Sequence, residues 1–321
     1  MADTPVGRFA PSPTGRMHLG NIFTALLSWL SVKARGGRWI LRIEDLDPQR
    51  SRLEYARQIE DDLLWLGLPW DEGGIDGKLP AGPYLQSQRH QCYEDALARL
   101  EASGRVYRCT CRRADIHAVG APHASDGRII YNGRCRPKSL GGNVVPSLLQ
   151  NKGAWRLFVP DETIVFADVV YGLQNINLAR EFGDFLLRRA DGAWAYQLAV
   201  VADDALMGVT EIVRGHDLLS SAAPQIYLYH LLGYQPPVYA HVPLICNTDG
   251  IRLSKRDASL SMEALRLRYE APAVIGHIAH LAGIIPAPDP VTPSELLSCL
   301  QFRTLSTLTT LKSPSILVPS S

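Results

Sequence analysis

A Pro- and Gly-rich stretch at residues 11–21 contains the first side chain suited to chemistry, the imidazole of His18. The stretch separates a predicted strand from a predicted helix, and a helix start offers unpaired N–H groups and partial positive charge to a phosphate. His18 at that start can donate a hydrogen bond to a phosphate oxygen that gains charge during a transfer reaction, and Gly20 would let a purine lie close to the backbone. Taken alone, so short a pattern is more typical of a tight turn without a catalytic role.

A second candidate is the basic segment R-L-S-K-R at 252–256, which follows an Asp-Gly turn. A lysine on a loop with a glycine hinge can swing onto a triphosphate, so Lys255 could stabilise a leaving pyrophosphate. Taken alone, this segment is more typical of a solvated basic loop. Because both segments belong to one predicted α/β unit, their combination carries more weight than either alone.

Three of the six cysteines, Cys109, Cys111 and Cys135, fall within one short segment. In a chain without a secretory start, such clustering favours a metal site over a disulfide framework. The other three are scattered and are predicted to be core residues: Cys92, Cys246 and Cys299.

The elements that must position these residues begin with a predicted strand at 6–10, a helix at 20–34 and a strand at 39–43. This βαβ unit implies a parallel sheet. Further helices are predicted at 51–66, 88–103, 220–232 and for most of the chain after 261, and further strands at 154–159, 164–170 and 242–245. The continuous apolar run at 195–202 predicts a strand buried on both faces. The Ser- and Thr-rich segment 306–321 is expected to fray.

The composition limits the classes of protein that remain. With 321 residues, of which 46% are hydrophobic, the chain is expected to form more than one packed unit. The 33 Lys and Arg residues nearly balance the 32 Asp and Glu residues, which argues against a protein that binds DNA by net charge alone. No signal-peptide pattern and no stretch apolar enough for a membrane span is found, so we expect a cytoplasmic enzyme without membrane contact.

Six further motifs accompany the two phosphate-binding segments along the chain. They are R-F-A-P-S-P-T-G at 8–15, R-I-E-D-L-D at 42–47, W-L-G-L-P-W-D-E-G at 65–73, Y-L-Q-S-Q-R at 84–89, A-Y-Q-L-A-V-V-A-D-D at 195–204 and G-V-T-E-I-V-R-G-H-D-L-L at 208–219. Together they resemble the glutamyl branch of the class I aminoacyl-tRNA synthetases, whose signatures H-I-G-H and K-M-S-K-S correspond to the segments around His18 and Lys255. The chain departs from these signatures at Leu19, Asn21, Arg252, Leu253 and Arg256.

The resemblance implies a role for particular residues. His18 and Lys255 would be catalytic, and ATP, accompanied by Mg²⁺, would be bound by His18, Gly20, Asn21, Ser254 and Lys255. L-Glutamate would be bound by Arg8, Ala10, Ser12, Glu44, Tyr196 and Arg214. Within that set, Glu44 would hold the α-ammonium and Arg8 or Arg214 the γ-carboxylate, because a guanidinium pairs with a carboxylate through two hydrogen bonds.

The resemblance also assigns one structural Zn²⁺ to the cysteine segment, with Cys109, Cys111, Tyr131 and Cys135 as ligands. Three thiolates and one oxygen donor can close a tetrahedral zinc site, although a phenolate is an unusual ligand. Two histidines in the intervening loop, His117 and His123, are the alternatives for the fourth position.

The motifs and the resemblance predict three parts of the chain. These are a Rossmann-like catalytic domain at 1–84 and 190–257, an inserted zinc-bearing connective domain at 85–189 and a helical extension at 258–321. The extension is too short for a further anticodon-binding domain of about 100 residues. The resemblance therefore narrows to truncated bacterial members, which attach glutamate to queuosine in the anticodon loop of tRNA(Asp), here as a monomer.

Three other functions stay open at this stage. A truncated or discriminating glutamyl-tRNA synthetase would charge tRNA(Glu) instead. A small nucleotidylyltransferase would share the His18 segment and the sheet but would not need the zinc segment, and a zinc-stabilised RNA-binding module would have no catalytic activity.

Overall fold

Strands from both halves of the chain form the central sheet of the protein. The structure is a computed structural model, which describes residues 4–77, 80–112, 130–137, 153–248, 250–251, 260–300 and 305–318, without the side chains of 299 and 300. These strands are β1 (Val6–Phe9), β2 (Arg38–Leu41), β3 (Glu72–Gly73), β6 (Thr163–Asp168), β7 (Gly172–Asn177), β9 (Glu211–Gly215) and β10 (Val238–Val242). Their order is β3-β2-β1-β9-β10-β6-β7, and every neighbouring pair is parallel except β6 with β7. This is the Rossmann-like α/β fold that the motifs predict.

Two smaller sheets accompany the central one. An antiparallel sheet contains β4 (Val106–Cys109), β5 (Ala154–Leu157) and β8 (Leu186–Arg188), and β11 (Leu244–Cys246) pairs in parallel with β12 (Ser315–Leu317). The strand predicted at 242–245 is thus divided by Pro243 between the end of β10 and the start of β11.

Nine α-helices occur in the part of the chain that the structure describes. They are α1 (Leu19–Lys33), α2 (Leu53–Trp65), α3 (His90–Ala102), α4 (Leu178–Glu181), α5 (Tyr196–Leu206), α6 (Ala222–Leu231), α7 (Met262–Arg268), α8 (Ala271–Leu281) and α9 (Pro293–Leu300). None of them combines the length and the hydrophobicity that a membrane-spanning helix requires.

The predicted N-terminal βαβ unit is confirmed by β1, α1 and β2, with β1 and β2 parallel. Helix α1 packs so closely on β1 that a Cβ atom at Gly7 would lie 2.4 Å from Cγ2 of Val32. Only glycine allows this approach, which holds the start of the unit in one position.

Two hydrophobic cores lie on opposite faces of the central sheet. In β2, Trp39 and Leu41 belong to one core and Ile40 to the other, as expected from the alternation of side chains along a strand. The first core includes residues of α1, α2 and α8, and the second includes residues of α3, α5 and α6.

The prediction of a strand at 195–202 is wrong, because this segment belongs to helix α5. A continuous apolar run is compatible with either a buried strand or a buried helix. Here the helix packs against both α3 and α6, so apolar residues are needed around most of its circumference. Its last turns contain Asp203 and Asp204, whose side chains are fully buried.

The expectation that 306–321 frays is wrong for the residues described, which end at 318. Leu308, Leu311 and Val318 are buried, and β12 completes a sheet with β11. A few well-spaced apolar side chains are enough to anchor a segment that is otherwise rich in Ser and Thr.

The division of the chain into domains stays a prediction. Within the interval 85–189, strands β4, β5 and β8 form their own sheet, whereas the hairpin of β6 and β7 extends the central sheet through the pairing of β6 with β10.

Candidate active site

The carboxyl ends of β1 and β9 lie side by side at the centre of the sheet. Strand order reverses between them, because β1 leads to β2 on one side and β9 to β10 on the other. Open parallel sheets bind ligands at such a point, and a cavity of about 480 Å³ opens there. Nine of the residues predicted for ATP and glutamate line it: Arg8, Ala10, Ser12, His18, Gly20, Asn21, Glu44, Tyr196 and Arg214.

His18 is the N-cap residue of α1. Its Nδ1 accepts a hydrogen bond of 3.1 Å from the backbone N–H of Gly20, and the side chain of Asn21 accepts one of 3.1 Å from the backbone N–H of His18. Because Nδ1 is an acceptor, the proton of the neutral imidazole is on Nε2, which is a donor. The helix cap therefore sets both the orientation and the tautomer of this ring.

The segments on either side of the predicted lysine loop reach the same cavity. Two residues of β11 line it, and Ser261, just before α7, forms an antiparallel bridge with His18. Ser254 and Lys255, predicted for ATP, lie outside the described residues.

The guanidinium of Arg214 is buried at the end of β9 and held by three hydrogen bonds. Nε donates to Nε2 of His241 at 3.0 Å, Nη1 donates to Oε1 of Gln225 at 2.7 Å, and Nη2 donates to the carbonyl of Leu218 at 3.1 Å. Within the described part of the chain, these bonds leave one N–H on each terminal nitrogen. Two N–H groups are what a bidentate contact with a carboxylate needs.

His241 connects Arg214 to a buried acid. Its Nδ1 lies 2.7 Å from Oδ2 of Asp168, and both side chains are fully buried. Burial opposes a charge on Asp168, but hydrogen bonds from His241 and from the backbone of Tyr171 and Val170 lower the pKa of this carboxyl. Burial lowers the pKa of His241 to about 4, and the charge of Arg214 acts in the same direction.

A network of buried charges supports the other side of the cavity. Arg42 is fully buried and donates from Nη1 to Asp204 at 2.5 Å and from Nη2 to Glu44 at 3.1 Å. Nε of Arg8 lies 3.4 Å from Oδ1 of Asp204. Burial raises the pKa of Glu44, while the charges of Arg42 and Arg8 act against this shift. The carboxylate of Glu44 is therefore oriented by a cation that is itself fixed.

The sequence did not single out the residues that hold these groups in place. They are Arg42, Asp168, Asp204, Gln225 and His241, together with Asp203, whose Oδ2 lies 3.8 Å from Nε of Arg42. For Arg42, Asp203 and Asp204 a signal existed, since each is a charged residue next to an apolar run in a quoted motif. No local signal joins His241 to Asp168, because 73 positions separate them.

The three clustered cysteines bring their Sγ atoms within 4.8 Å of one another, the first of them at the end of β4. The hydroxyl of Tyr131 lies 3.4 Å from Sγ of Cys109 and 3.7 Å from Sγ of Cys111. The same hydroxyl accepts a hydrogen bond of 2.7 Å from the backbone N–H of Cys135. Tetrahedral Zn²⁺, with Zn–S bonds of about 2.3 Å, separates its sulfur ligands by about 3.8 Å. The donor set and its spacing therefore fit one such ion.

The side chain of Asp184 connects the segments that carry the clustered cysteines. Its fully buried carboxylate accepts hydrogen bonds from the hydroxyl of Tyr107, from the guanidinium of Arg136 at 2.6 and 2.8 Å, and from the backbone N–H of Val159 at 2.8 Å. One buried acid thus joins the strand that ends at Cys109 to the turn that contains the third cysteine.

Comparison with known proteins shows the family to which the chain belongs. Residues 6–286 match the family described as tRNA synthetases class I (E and Q), catalytic domain. A glutamyl-Q tRNA(Asp) synthetase of Symbiobacterium thermophilum is 48% identical over 295 residues, which cover 91% of this chain and 90% of that protein. One of Nitratidesulfovibrio vulgaris is 46% identical over 303 residues, covering 94% and 93%.

Among solved structures, a glutamate tRNA ligase of Elizabethkingia meningosepticum, in complex with its amino acid, superposes with a TM-score of 0.81 at 28% identity. The match covers 99% of this chain and 67% of that one. The chain belongs to the class I tRNA synthetases of the glutamate and glutamine type, in the branch of the glutamyl-Q tRNA(Asp) synthetases.

Proposed function

We propose that this protein activates L-glutamate with ATP and transfers the glutamyl group to queuosine in the anticodon loop of tRNA(Asp). The family supports the class of enzyme, and the names of the related proteins support the acceptor. The observation that carries the proposal is that nine residues expected to bind glutamate and ATP line one cavity at the centre of the sheet.

In the first step, an oxygen of the glutamate α-carboxylate attacks the α-phosphorus of ATP. The bond between that phosphorus and the bridging oxygen breaks, so that glutamyl-adenylate forms and pyrophosphate leaves. The N–H at Nε2 of His18 would donate to a phosphate oxygen that gains charge. Mg²⁺ bound to the ATP phosphates would neutralise part of their charge. Catalysis then consists of positioning and electrostatic stabilisation, with no covalent bond to a side chain.

Lys255 would supply a second positive charge to the phosphates. It lies four residues after Ile251, and an extended chain of that length spans about 14 Å at most. On one side of the segment Leu244 and Ile245 line the cavity, and on the other Ser261 bridges to His18.

Glutamate itself would be held by charges that the fold has already oriented. Glu44 would accept the α-ammonium, and Arg214 would bind the γ-carboxylate through its two remaining N–H groups. Arg8, tied to Asp204, adds positive charge on the same side of the cavity. The α-carboxylate is then left to react.

In the second step, a hydroxyl of the acceptor attacks the carbonyl carbon of glutamyl-adenylate and AMP leaves. A second cavity, of about 370 Å³, shares Tyr196 with the first and extends to Tyr131 of the cysteine cluster. The acceptor nucleoside would bind there, beside Tyr196 and next to the proposed glutamate site.

The cysteine cluster would hold one structural Zn²⁺ through Cys109, Cys111, Tyr131 and Cys135. Support comes from the short distances among these four donors. The alternative fourth ligands, His117 and His123, lie outside the described residues.

Glutamate-dependent exchange of pyrophosphate into ATP, measured without tRNA, tests the first step. Charging of tRNA(Asp) with and without queuosine, beside tRNA(Glu), tests the second. We expect exchange with L-glutamate and labelling only of the queuosine-containing tRNA(Asp). Equal labelling of both forms of tRNA(Asp) would contradict the acceptor, and labelling of tRNA(Glu) would favour the glutamyl-tRNA synthetase alternative. That the protein acts as a monomer in the cytoplasm stays a prediction.

A further inference from the structure

We infer that His241 and Asp168 are positioning residues, which orient Arg214 so that it distinguishes the side-chain carboxylate of glutamate from an uncharged amide. The inference rests on the proposed glutamate site, in which Arg214 contacts the substrate. His241 and Asp168 do not line the cavity, so they act through Arg214.

The three residues come together through the register of three neighbouring strands. In the pairing of β9 with β10, Arg214 lies opposite His241, and in the pairing of β10 with β6, Asp168 lies opposite Tyr239. The acid, the imidazole and the guanidinium therefore form a row across β6, β10 and β9. Their separations along the row are 2.7 Å from Asp168 to His241 and 3.0 Å from His241 to Arg214.

Hydrogen-bond chemistry allows this row in one protonation state only. A guanidinium has donors and no acceptor, so Nε2 of His241 must present a lone pair to Arg214. The proton of the neutral ring is then on Nδ1, where it is donated to Asp168. Asp168 accepts this hydrogen bond at Oδ2, which also accepts from the backbone N–H of His241 at 3.1 Å, while its Oδ1 accepts from the backbone N–H groups of Val170 and Tyr171 at 3.0 and 2.9 Å.

The groups that surround His241 favour this state. Arg214 and His216 disfavour a charge on the imidazole and Asp168 favours one, while burial disfavours it most strongly. Tyr239 stacks on the ring with centroids 6.0 Å apart. The imidazole of His241 is thus kept neutral and in one ring orientation, and its hydrogen bond fixes the orientation of the Arg214 guanidinium.

The consequence concerns selectivity. A guanidinium fixed at Nε presents its two remaining N–H groups in a set direction, which suits two carboxylate oxygens. An amide offers one oxygen acceptor and places an NH₂ group against the other N–H, so it loses a charged hydrogen bond. If the bond at Nε is removed, only the bonds to Gln225 and Leu218 still hold the guanidinium, its orientation becomes less defined, and the difference between glutamate and glutamine becomes smaller.

Two substitutions by similar amides test the two hydrogen bonds of His241 separately. In His241→Gln, the side-chain oxygen can replace Nε2 as the acceptor for Arg214. In His241→Asn, the shorter amide can replace the donor to Asp168, while the acceptor for Arg214 is lost. We expect the Asn variant to raise the KM for glutamate in pyrophosphate exchange at least about tenfold, and to reduce the preference for glutamate over glutamine by a similar factor. The KM for ATP should stay unchanged, and the Gln variant should stay close to the wild type.

Equal losses in the two variants, or a parallel change in the KM for ATP, would show a merely structural role and overturn the inference. If the wild type itself shows no glutamate-dependent exchange, the proposed function fails instead. A measurement on the wild type covers the case in which the variants do not fold. The ¹⁵N chemical shifts of His241 should show a neutral ring protonated at Nδ1, and protonation at Nε2 would contradict the inference.

Discussion

The central cavity and the cysteine cluster are both polar sites, but the fold builds them in opposite ways. The cavity draws its charged groups from distant parts of the chain, from Arg8 to Arg214, and the register of the central sheet brings them together. The cluster uses donors that lie between 109 and 135, at the edge of a small sheet. The cavity therefore depends on the whole sheet, whereas the cluster takes its donors from one short segment and needs the more distant Asp184 to hold them together.

The two sites also differ in what balances their charges. In the cavity, Arg42 is paired with Asp204 and Glu44 before any ligand binds. In the cluster, burial raises the pKa of the Cys111 thiol to about 11. Burial also acts to raise the pKa of Cys135, but hydrogen bonds from Tyr131 and from the backbone of Thr110 lower it to about 7. The protein alone therefore favours the thiolate at only one of these two cysteines. A bound cation would supply the missing charge. The cavity is preorganised by protein groups, whereas the cluster would need the proposed cation to balance its thiolates.

Removal of the imidazole at 18 should have the largest effect on the cavity. His18→Ala should lower the rate of glutamate-dependent exchange about 100-fold or more, because a donor to the phosphate is lost. It should also lower stability by about 1 kcal/mol, since the N-cap of α1 is lost. His18→Asn keeps a capping oxygen and should restore stability without restoring the rate. Exchange assays and thermal unfolding separate the two effects, and a wild-type rate in the Asn variant would contradict a catalytic role.

Acid should weaken the part of the cavity that lies behind Arg214. The pKa of His241 is about 4 in the folded protein and about 6.5 in an unfolded chain. Between these values the unfolded chain binds a proton that the folded protein does not, so stability falls as pH falls. At pH 5 this one group should cost about 2 kcal/mol of the free energy of unfolding.

Urea denaturation at pH 7 and pH 5 measures that loss. His241→Gln should reduce the difference between the two pH values. The matched change of an exposed histidine, His230→Gln, should leave it as in the wild type. A pH dependence that is identical in all three proteins would show that His241 is not kept neutral by the fold.

Disruption of the cysteine cluster should have the smallest effect on glutamate activation. Cys135→Ser should abolish stoichiometric zinc binding and lower the melting temperature. Glutamate-dependent exchange should change by less than about threefold, since no ligand of the cluster lines the first cavity. Cys92→Ser, outside the cluster, is the control. A loss of exchange as large as that of His18→Ala would show that the two sites are not independent.

The parts of the site that could be predicted are those with a local signature. The turn before α1 and the polar residues at the ends of β1 and β2 stand next to apolar runs, and the cavity collects the side chains expected there. The row from Asp168 to Arg214 has no such signature. Its members are ordinary residues on three separate strands, and only the order of those strands makes them neighbours.

The errors in secondary structure have a similar origin. The run at 195–202 has the composition of a buried strand, and its helical state is decided by packing between α3 and α6. Residues 306–318 have the composition of an unstructured tail, and their order is decided by three buried side chains and by β11. In both cases partners distant in the chain decide the local conformation.

The pairing of β12 with β11 places the end of the described chain next to the central cavity. Leu244 and Ile245 of β11 line the cavity on one face while their backbones pair with residues 315 and 316 on the other side. The hydroxyl of Tyr171 adds a hydrogen bond of 2.9 Å to the carbonyl of Ser313. Truncation before this strand, or a tag fused directly behind it, would therefore disturb a wall of the central cavity, so an affinity handle is better placed at the other terminus.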